Sequence, residues 1–587
     1  MADSASLERC ADWALAHADS SGALICREHR VEHTGKSANV ALLALELWKQ
    51  TGAERWLEAA IAQGRRLVAR LEREGSSPCF TFRPGRHDPF NCSNSVIDGG
   101  ACSDALGSLV LEAGEALDHE TRAAFARGCV LHARTYLRYA AVDKGVPAQR
   151  AWALTGLARA IEVEERHPEL CVGESMAPGD GVLQEAGRQA VEILAGVQHG
   201  DGSYPYHPID WGAGHPGAAD ASSFYQSRVS AFLLFVLPKL GLDPRQPQVE
   251  RGLDFLASLQ GPDGIKVGAV EAKPWYWGAT HEVASNPFDT YALAVGGRLF
   301  GREDWREAAA RAHAAWSAHL TDDGRPTSHR PGPGRGESYQ CPMFWASHSA
   351  WAARALGALP ACRVAICDQP RVQHFADADL VRLENAHLVA WVRGRRAPGN
   401  VHHGSPLGGL LRVVERASGR ELLPRCRLGG HQSGEWNGMS GGPAPGRGWR
   451  AGKHELRFSL WLARVRRRAG EPLEALRTPA RVFRRGVLAF AHPRCSTAFE
   501  RSPELSVEGR TVHARSRLCW RDGTAVPGSA VERRWTIDPE GLGVEERLLA
   551  SGGARGVRLE PPPAAVAVER SPGGLRYRLQ PRSESAG

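Results

Sequence analysis

No stretch of this sequence is long and apolar enough to span a bilayer, which takes about 20 such residues. The densest apolar run, Ala231 to Leu237, is stopped by Pro238 and Lys239. The N-terminus, Met-Ala-Asp-Ser-Ala-Ser-Leu-Glu-Arg-Cys, has neither a basic n-region nor an apolar h-region. It does not read as a secretory leader, so the chain as written is expected in the cytoplasm, or in the periplasm or medium if a leader has been removed. The 13 cysteines are scattered without a CxxC pair, which argues against both a disulfide framework and a thiolate zinc site. There is no HExxH or comparable spacing; His281-Glu282 and His215 stand apart, so no metal and no cofactor are expected. Long basic runs are missing too. A formal net charge of +8 over 587 residues suits an acidic substrate and gives no reason to expect nucleic acid.

What is present is a repeat. Gly52-Ala-Glu-Arg-Trp-Leu-Glu-Ala-Ala60 returns as Gly301-Arg-Glu-Asp-Trp-Arg-Glu-Ala-Ala309, and Asp-Gly turns recur at Asp201-Gly202, Asp263-Gly264 and Asp323-Gly324. Such recurrence marks a repeated helix–turn–helix unit. Apolar residues at three-and-four spacing predict helices near 5–17, 38–50, 54–73, 97–117, 119–140, 147–164, 182–198, 223–240, 246–259, 287–300, 303–320 and 345–357. Those beginning near 38, 97, 147, 223, 287 and 345 are rich in Ala, Leu and Gly and follow long polar loops. The helices between them carry more Arg and Glu, as at Arg65, Arg66 and Glu72. The first set suits an inner ring buried on all sides and the second an outer ring facing water. Six hairpins closing on themselves make an (α/α)6 toroid, expected over residues 1–360, with Trp56 and Trp305 of the repeat in its core.

After Pro360 the period changes to two. His387-Leu-Val-Ala-Trp-Val392, Leu410-Leu-Arg-Val-Val414, Leu456-Arg-Phe-Ser-Leu-Trp-Leu462, Ala530 to Ile537 and Gly543 to Leu549 read as antiparallel strands. The fold class expected is therefore an N-terminal (α/α)6 toroid followed by a C-terminal antiparallel β-sandwich, with 361–374 as linker, 375–587 as the sandwich, and a frayed end from Ser583.

The segments Asp201-Gly-Ser-Tyr204 and Ser223-Phe-Tyr-Gln-Ser-Arg-Val229, with Asn400-Val-His-His-Gly-Ser-Pro-Leu-Gly-Gly-Leu-Leu-Arg-Val413 in the sandwich, resemble stretches of the heparinase II/III-like polysaccharide lyases. In that family a similar Asp-Gly-Ser turn precedes Ser-x-x-Tyr-His at the start of an inner helix, and the Tyr is the catalytic acid. The matching residue here is Tyr225, followed by Gln226 where the family has His. The resemblance implies that His402 or His403 reaches the cleft. It also sets Pro147-Ala-Gln-Arg150 where the family often has Asn or Asn-His, so Gln149 and Arg150 occupy that place.

The activity implied is β-elimination on a uronic-acid glycan, a glycosaminoglycan or an exopolysaccharide. The C5 proton is removed and the C4 oxygen expelled. Such a site needs a donor for the carboxylate, a base and an acid. Gln149, Asn94 or Asn286 would hold the carboxylate, and Arg150 or Arg228 would pair with it. His207, His402 or His403 would be the base and Tyr225 the acid. Trp211, Trp275, Trp277 and Tyr339, with neighbouring loop aromatics such as Tyr204 and Trp345, would offer rings to sugar faces. The partner expected is an acidic oligosaccharide or polysaccharide, with no nucleic acid and no membrane insertion. Three alternatives remain open at this stage. One is a uronate C5-epimerase sharing the proton abstraction. A second is a glycoside hydrolase using paired carboxylates from among Asp98, Asp210, Asp289 and Glu337. The third is a carbohydrate-binding protein with a degenerate site.

Overall fold

The computed structural model describes residues 4–26, 31–32, 34–74, 77–80, 93–143, 146–171, 179–205, 221–267, 281–327, 342–362, 369–394, 409–423, 435–440, 492–500, 503–520 and 523–581, with Lys453, Leu456 and Leu460. The helices are α1 Ala5–Leu15, α2 Thr34–Thr51, α3 Glu54–Ala69, α4 Ser93–Ser108, α5 His119–His132, α6 Arg138–Asp143, α7 Pro147–Arg166, α8 Val182–Val197, α9 Ser223–Val236, α10 Pro247–Ser258, α11 Asn286–Phe300, α12 Glu303–Ser317 and α13 Pro342–Ala353. A π-helical turn, Ala133–Leu137, joins α5 to α6 as one outer arm.

Helix α2 packs on α4, α4 on α7, α7 on α9, α9 on α11, α11 on α13, and α13 returns to α2. The inner ring is closed. Its helices are buried nearly all round; in α9 every residue but Tyr225 is buried. Outer helices bury one stripe instead. In α3 that stripe is Trp56, Leu57, Ala60, Gln63, Gly64 and Leu67, the three-and-four spacing of an amphipathic helix. Trp56 and Trp305 are both fully buried, each under a guanidinium, Arg55 at 4.0 Å and Arg302 at 4.5 Å.

The Asp-Gly turns close the outer ring. Each glycine has positive φ, +87° at Gly202, +75° at Gly264 and +85° at Gly324. Each sits against the next outer helix, so that a β-carbon would lie 2.1 Å from the carbonyl oxygen of Arg251, Arg311 or Arg9 respectively. The turn after α8 thus abuts α10, the turn after α10 abuts α12, and the turn after α12 abuts α1. Amide side chains repeat beside them, roughly one hairpin apart. Gln226 donates to the carbonyls of Gly202 and Gly252, and Asn286 donates in the same way to Gly264 and Ala312.

The interior of the ring is filled. Phe288, Phe232 and Trp351 stack edge-on and tilted at 5.6 and 4.8 Å, and Trp351 meets Phe235 at 5.5 Å. Below them lies a charged floor. Arg354 grips Asp104 with two 3.0 Å bonds. Arg159 reaches Asp104 at 3.2 Å and Glu112 at 2.6 Å, and both guanidiniums lie over Phe235. The charged floor lies where the inner helices end, and the opposite end, where they begin, is the mouth end.

The β region opens with the antiparallel sheet Arg371–Phe375, Leu380–Glu384, Leu388–Arg393 and Gly409–Glu415. Its two faces do different work, as the period of two requires. Leu388, Ala390 and Val392 face a core shared with the six-stranded sheet through Val512, Val531, Trp535 and Val544. Val389 and Trp391 face the toroid, packing with Phe255, Leu259 and Val267. A third sheet, built on Trp436–Ser440, completes the sandwich. One strand expectation is corrected. Most of Leu456 to Leu462 lies outside the described residues, but Leu456 and Leu460 are helical. A short apolar run fits either period.

Candidate functional site at the toroid mouth

The sandwich docks at the mouth end. Trp391 Nε1 donates to the Ser258 carbonyl at 3.0 Å. Arg382 donates to the same carbonyl at 2.9 Å. Asp201 accepts from the Ala378 amide at 2.8 Å. All three contacts fall where outer helices end and the chain turns toward the next inner helix.

Tyr225 stands in the first turn of α9, half-buried while its neighbours are buried. Its backbone is clamped. Ser222 caps the helix by accepting from the Tyr225 amide at 3.2 Å, the cap expected of a serine. Gln226 is tethered as above, and its Oε1 accepts from the Tyr204 amide. The hydroxyl of Ser227 meets Lys266 Nζ at 2.5 Å and Ser285 Oγ at 3.1 Å. Lys266 also bonds Ser285 at 2.7 Å and pairs with Asp289 at 2.6 Å.

Beside Tyr225, Arg228 lies 3.4 Å above the Phe224 ring and 4.8 Å from Phe288, and donates to the Phe224 carbonyl. Such a stacked guanidinium keeps its charge in an apolar setting. His348 of α13 joins it, with Nε2 at 3.3 Å from Arg228 Nη2 and Nδ1 at 2.9 Å from the Ala284 carbonyl. Burial, then the Arg228 charge, hold His348 well below the usual imidazole range. The neutral ring therefore carries its proton on Nδ1 and presents Nε2 as acceptor. The charge of Lys36 on α2 acts on His348 and also on Asp98 of α4. Burial drives the Asp98 carboxyl up to about 7, opposed by Lys36. Its Oδ2 is buried with no hydrogen-bond partner among the described residues.

The sequence candidates fare unevenly. Tyr225 and Arg228 each lie against Phe224, which packs with Trp345. Arg150 donates to the Ala141 and Val142 carbonyls at the end of α6. Gln149, half-buried, occupies the third position of α7. Asn286 is fully buried, and its two donor bonds hold backbone, which is a different task from holding a sugar carboxylate. Among the loop aromatics, Tyr204 and Trp345 are core residues at 1% exposure. His207, Trp211, Trp275, Trp277, Tyr339, His402 and His403 lie outside the described residues, as does the side chain of Asn94. Among the hydrolase carboxylates, Asp289 is paired with Lys266, and Asp210 and Glu337 also lie outside.

Sequence reasoning missed Lys36, Lys266 and His348. His348 carried a signal, as the lone imidazole in the Ala- and Ser-rich start of an inner helix. Lys266 carried none, since its partners come from α9 and α11. Among the described residues, no group of three His, Cys, Asp or Glu side chains is placed to hold a metal, and no helix is long and apolar enough to cross a membrane.

No protein-family model matches the sequence, and no curated protein matches it. Solved structures resemble it at low identity. A chondroitin AC lyase of Streptomyces coelicolor A3, in complex with chondroitin sulphate, is 11% identical over 98% of this chain and 76% of its own, with TM-score 0.47. The unsaturated glucuronyl hydrolase of Bacillus sp. GL1 is 12% identical over 59% of this chain and 93% of its own, with TM-score 0.41. A glycosyl hydrolase family 88 protein of Bacteroides vulgatus is 14% identical over 60% of this chain and 98% of its own, with TM-score 0.39. The fold itself is read from the closed inner ring and the strand pairing.

Proposed function

We propose that the protein is a carbon–oxygen lyase that cleaves uronic-acid-containing glycans by β-elimination, with Tyr225 as the acid. The observation that carries this reading is the setting of Tyr225. It is the single residue of α9 that is not buried, held on a clamped turn beside a buried cation, Arg228. A rigid support of this kind is what a catalytic side chain requires.

The chemistry follows from the substrate. Breaking the C5–H bond leaves an electron pair next to a carboxylate that is already negative. The pair forms the C4–C5 double bond as the C4–O bond breaks, and the departing oxygen takes a proton from the Tyr225 hydroxyl. Arg228 and Lys36, with the positive ends of the inner-helix dipoles, set a favourable potential for the enolate-like intermediate. His207, His402 and His403 are the base candidates implied by the resemblance; Tyr225 as phenolate would serve both steps on a syn substrate. The partner is an acidic oligosaccharide or polysaccharide. A C5-epimerase would share the first step and differ in reprotonation.

The hydrolase reading draws on one observation, the buried Asp98 with its carboxyl raised to about 7, a donor at neutral pH. The two readings separate on the product, because elimination leaves an unsaturated uronate that absorbs at the short-wavelength edge of the ultraviolet and hydrolysis does not.

A further inference from the structure

We propose that Arg412 of the C-terminal sheet positions the Tyr225 turn of α9 through a buried relay passing Asp263 and Lys266. Arg412 lies on the strand Gly409–Glu415 and is fully buried. Its Nη2 bonds the Asp263 carboxylate, and its Nη1 donates to the Ile265 carbonyl at 2.7 Å. Both acceptors belong to the Asp-Gly turn between α10 and the inner ring. The carbonyl it grips is part of the peptide that joins Ile265 to Lys266. Lys266, 1% exposed, then carries the constraint inward, with Nζ on Ser227 at 2.5 Å and on Asp289 at 2.6 Å. Ser227 is two residues from Tyr225 in the same helical turn.

Apart from the Ile265–Lys266 peptide itself, each link is a charged or charge-assisted hydrogen bond, with Arg412, Lys266, Ser227 and Asp289 buried and Asp263 half-buried. Such links resist bending, because a partner removed from a buried charge leaves it uncompensated. A strand of one domain thereby fixes the angle at which a side chain of the other domain meets the mouth. Arg412 does not touch substrate in this account; it is a positioning residue. The functional consequence rests on Tyr225 being the acid, whereas the mechanical coupling does not.

Hydrogen exchange on the full-length chain tests the coupling. Arg412→Gln, and independently the milder Asp263→Asn, should raise amide exchange at residues 225–228 about tenfold while leaving α4 unchanged. Arg412→Lys, which keeps a cation opposite Asp263, should recover part of the protection. In the elimination assay Arg412→Gln should lower kcat with KM nearly unchanged. Unaltered exchange at 225–228 in both variants, or an equal rise in α4 and α9, overturns the relay. If the wild-type chain performs no elimination, the lyase reading fails separately, and the exchange data still decide the coupling.

Discussion

Gly264 and Arg311 are in backbone contact: a β-carbon on the glycine would sit 2.1 Å from the arginine carbonyl oxygen. The same relationship joins Gly202 to Arg251 and Gly324 to Arg9, so the Asp-Gly turns are the seams of the outer ring. Alanine at any of the three should destabilise the chain in two ways. One is the left-handed strain of about 1–3 kcal/mol, and the other is the displacement of a whole helix. Gly22 and Gly52 share the positive φ but have nothing among the described residues within 4 Å of the missing β-carbon. Their alanine variants should lose only the strain. Denaturant titration of the five variants should separate the two groups by about 2 kcal/mol or more.

Asn286→Ala should act on stability before it acts on binding. Its amide holds the carbonyls of Gly264 and Ala312 at 3.0 Å each, and leaving them bare should cost about 1–3 kcal/mol. A variant with unchanged melting temperature and a large rise in KM would instead return Asn286 to the substrate site.

The charged floor should be intolerant of single losses. Asp104 accepts from both Arg354 and Arg159, so Asp104→Asn leaves two buried guanidiniums short of a countercharge. A loss of about 3–5 kcal/mol is expected. The double variant Asp104→Asn, Arg354→Met should recover part of it, measured by the denaturation midpoint.

Asp98 makes stability pH-dependent with a definite sign. Its folded carboxyl, raised by burial to about 7, binds a proton that the unfolded chain releases near the ordinary aspartate value. Stability from this group is therefore fully present below the unfolded value and is lost as pH rises toward and through about 7. Asp98→Asn should flatten that slope and make the protein more stable than wild type on the alkaline side. Equal slopes in thermal melts of the two proteins across this window would contradict the assignment.

Much of the ring was legible because its physics is local. Ala- and Gly-rich helices after long loops announce an inner position, and α9, α11 and α7 begin within a residue of their expected starts. The starts of α2 and α4 lie about four residues earlier than hydrophobic period alone suggests, at Thr34 and Ser93. Polar first turns such as Thr34-Gly-Lys-Ser37 carry no apolar periodicity to read. The site was less legible for a different reason. Arg150, Arg228, Gln226 and Asn286 are all polar residues in the first two turns of inner helices, alike in sequence. What distinguishes them is the partner: carbonyls of α6, of Gly202 and Gly252 or of Gly264 and Ala312, against aromatic faces and His348 for Arg228. Those partners lie on other elements, and no local pattern names them.

The most direct test is the product of Tyr225→Phe beside wild type on a panel of uronic-acid glycans, followed by absorbance at the short-wavelength edge of the ultraviolet, with the melting temperature of both proteins. Wild type should generate the absorbing unsaturated uronate, and the phenylalanine variant should lose about 100- to 10,000-fold of that rate while melting like wild type. Cleavage without the absorbing product, or a fully active Tyr225→Phe enzyme, would contradict the account.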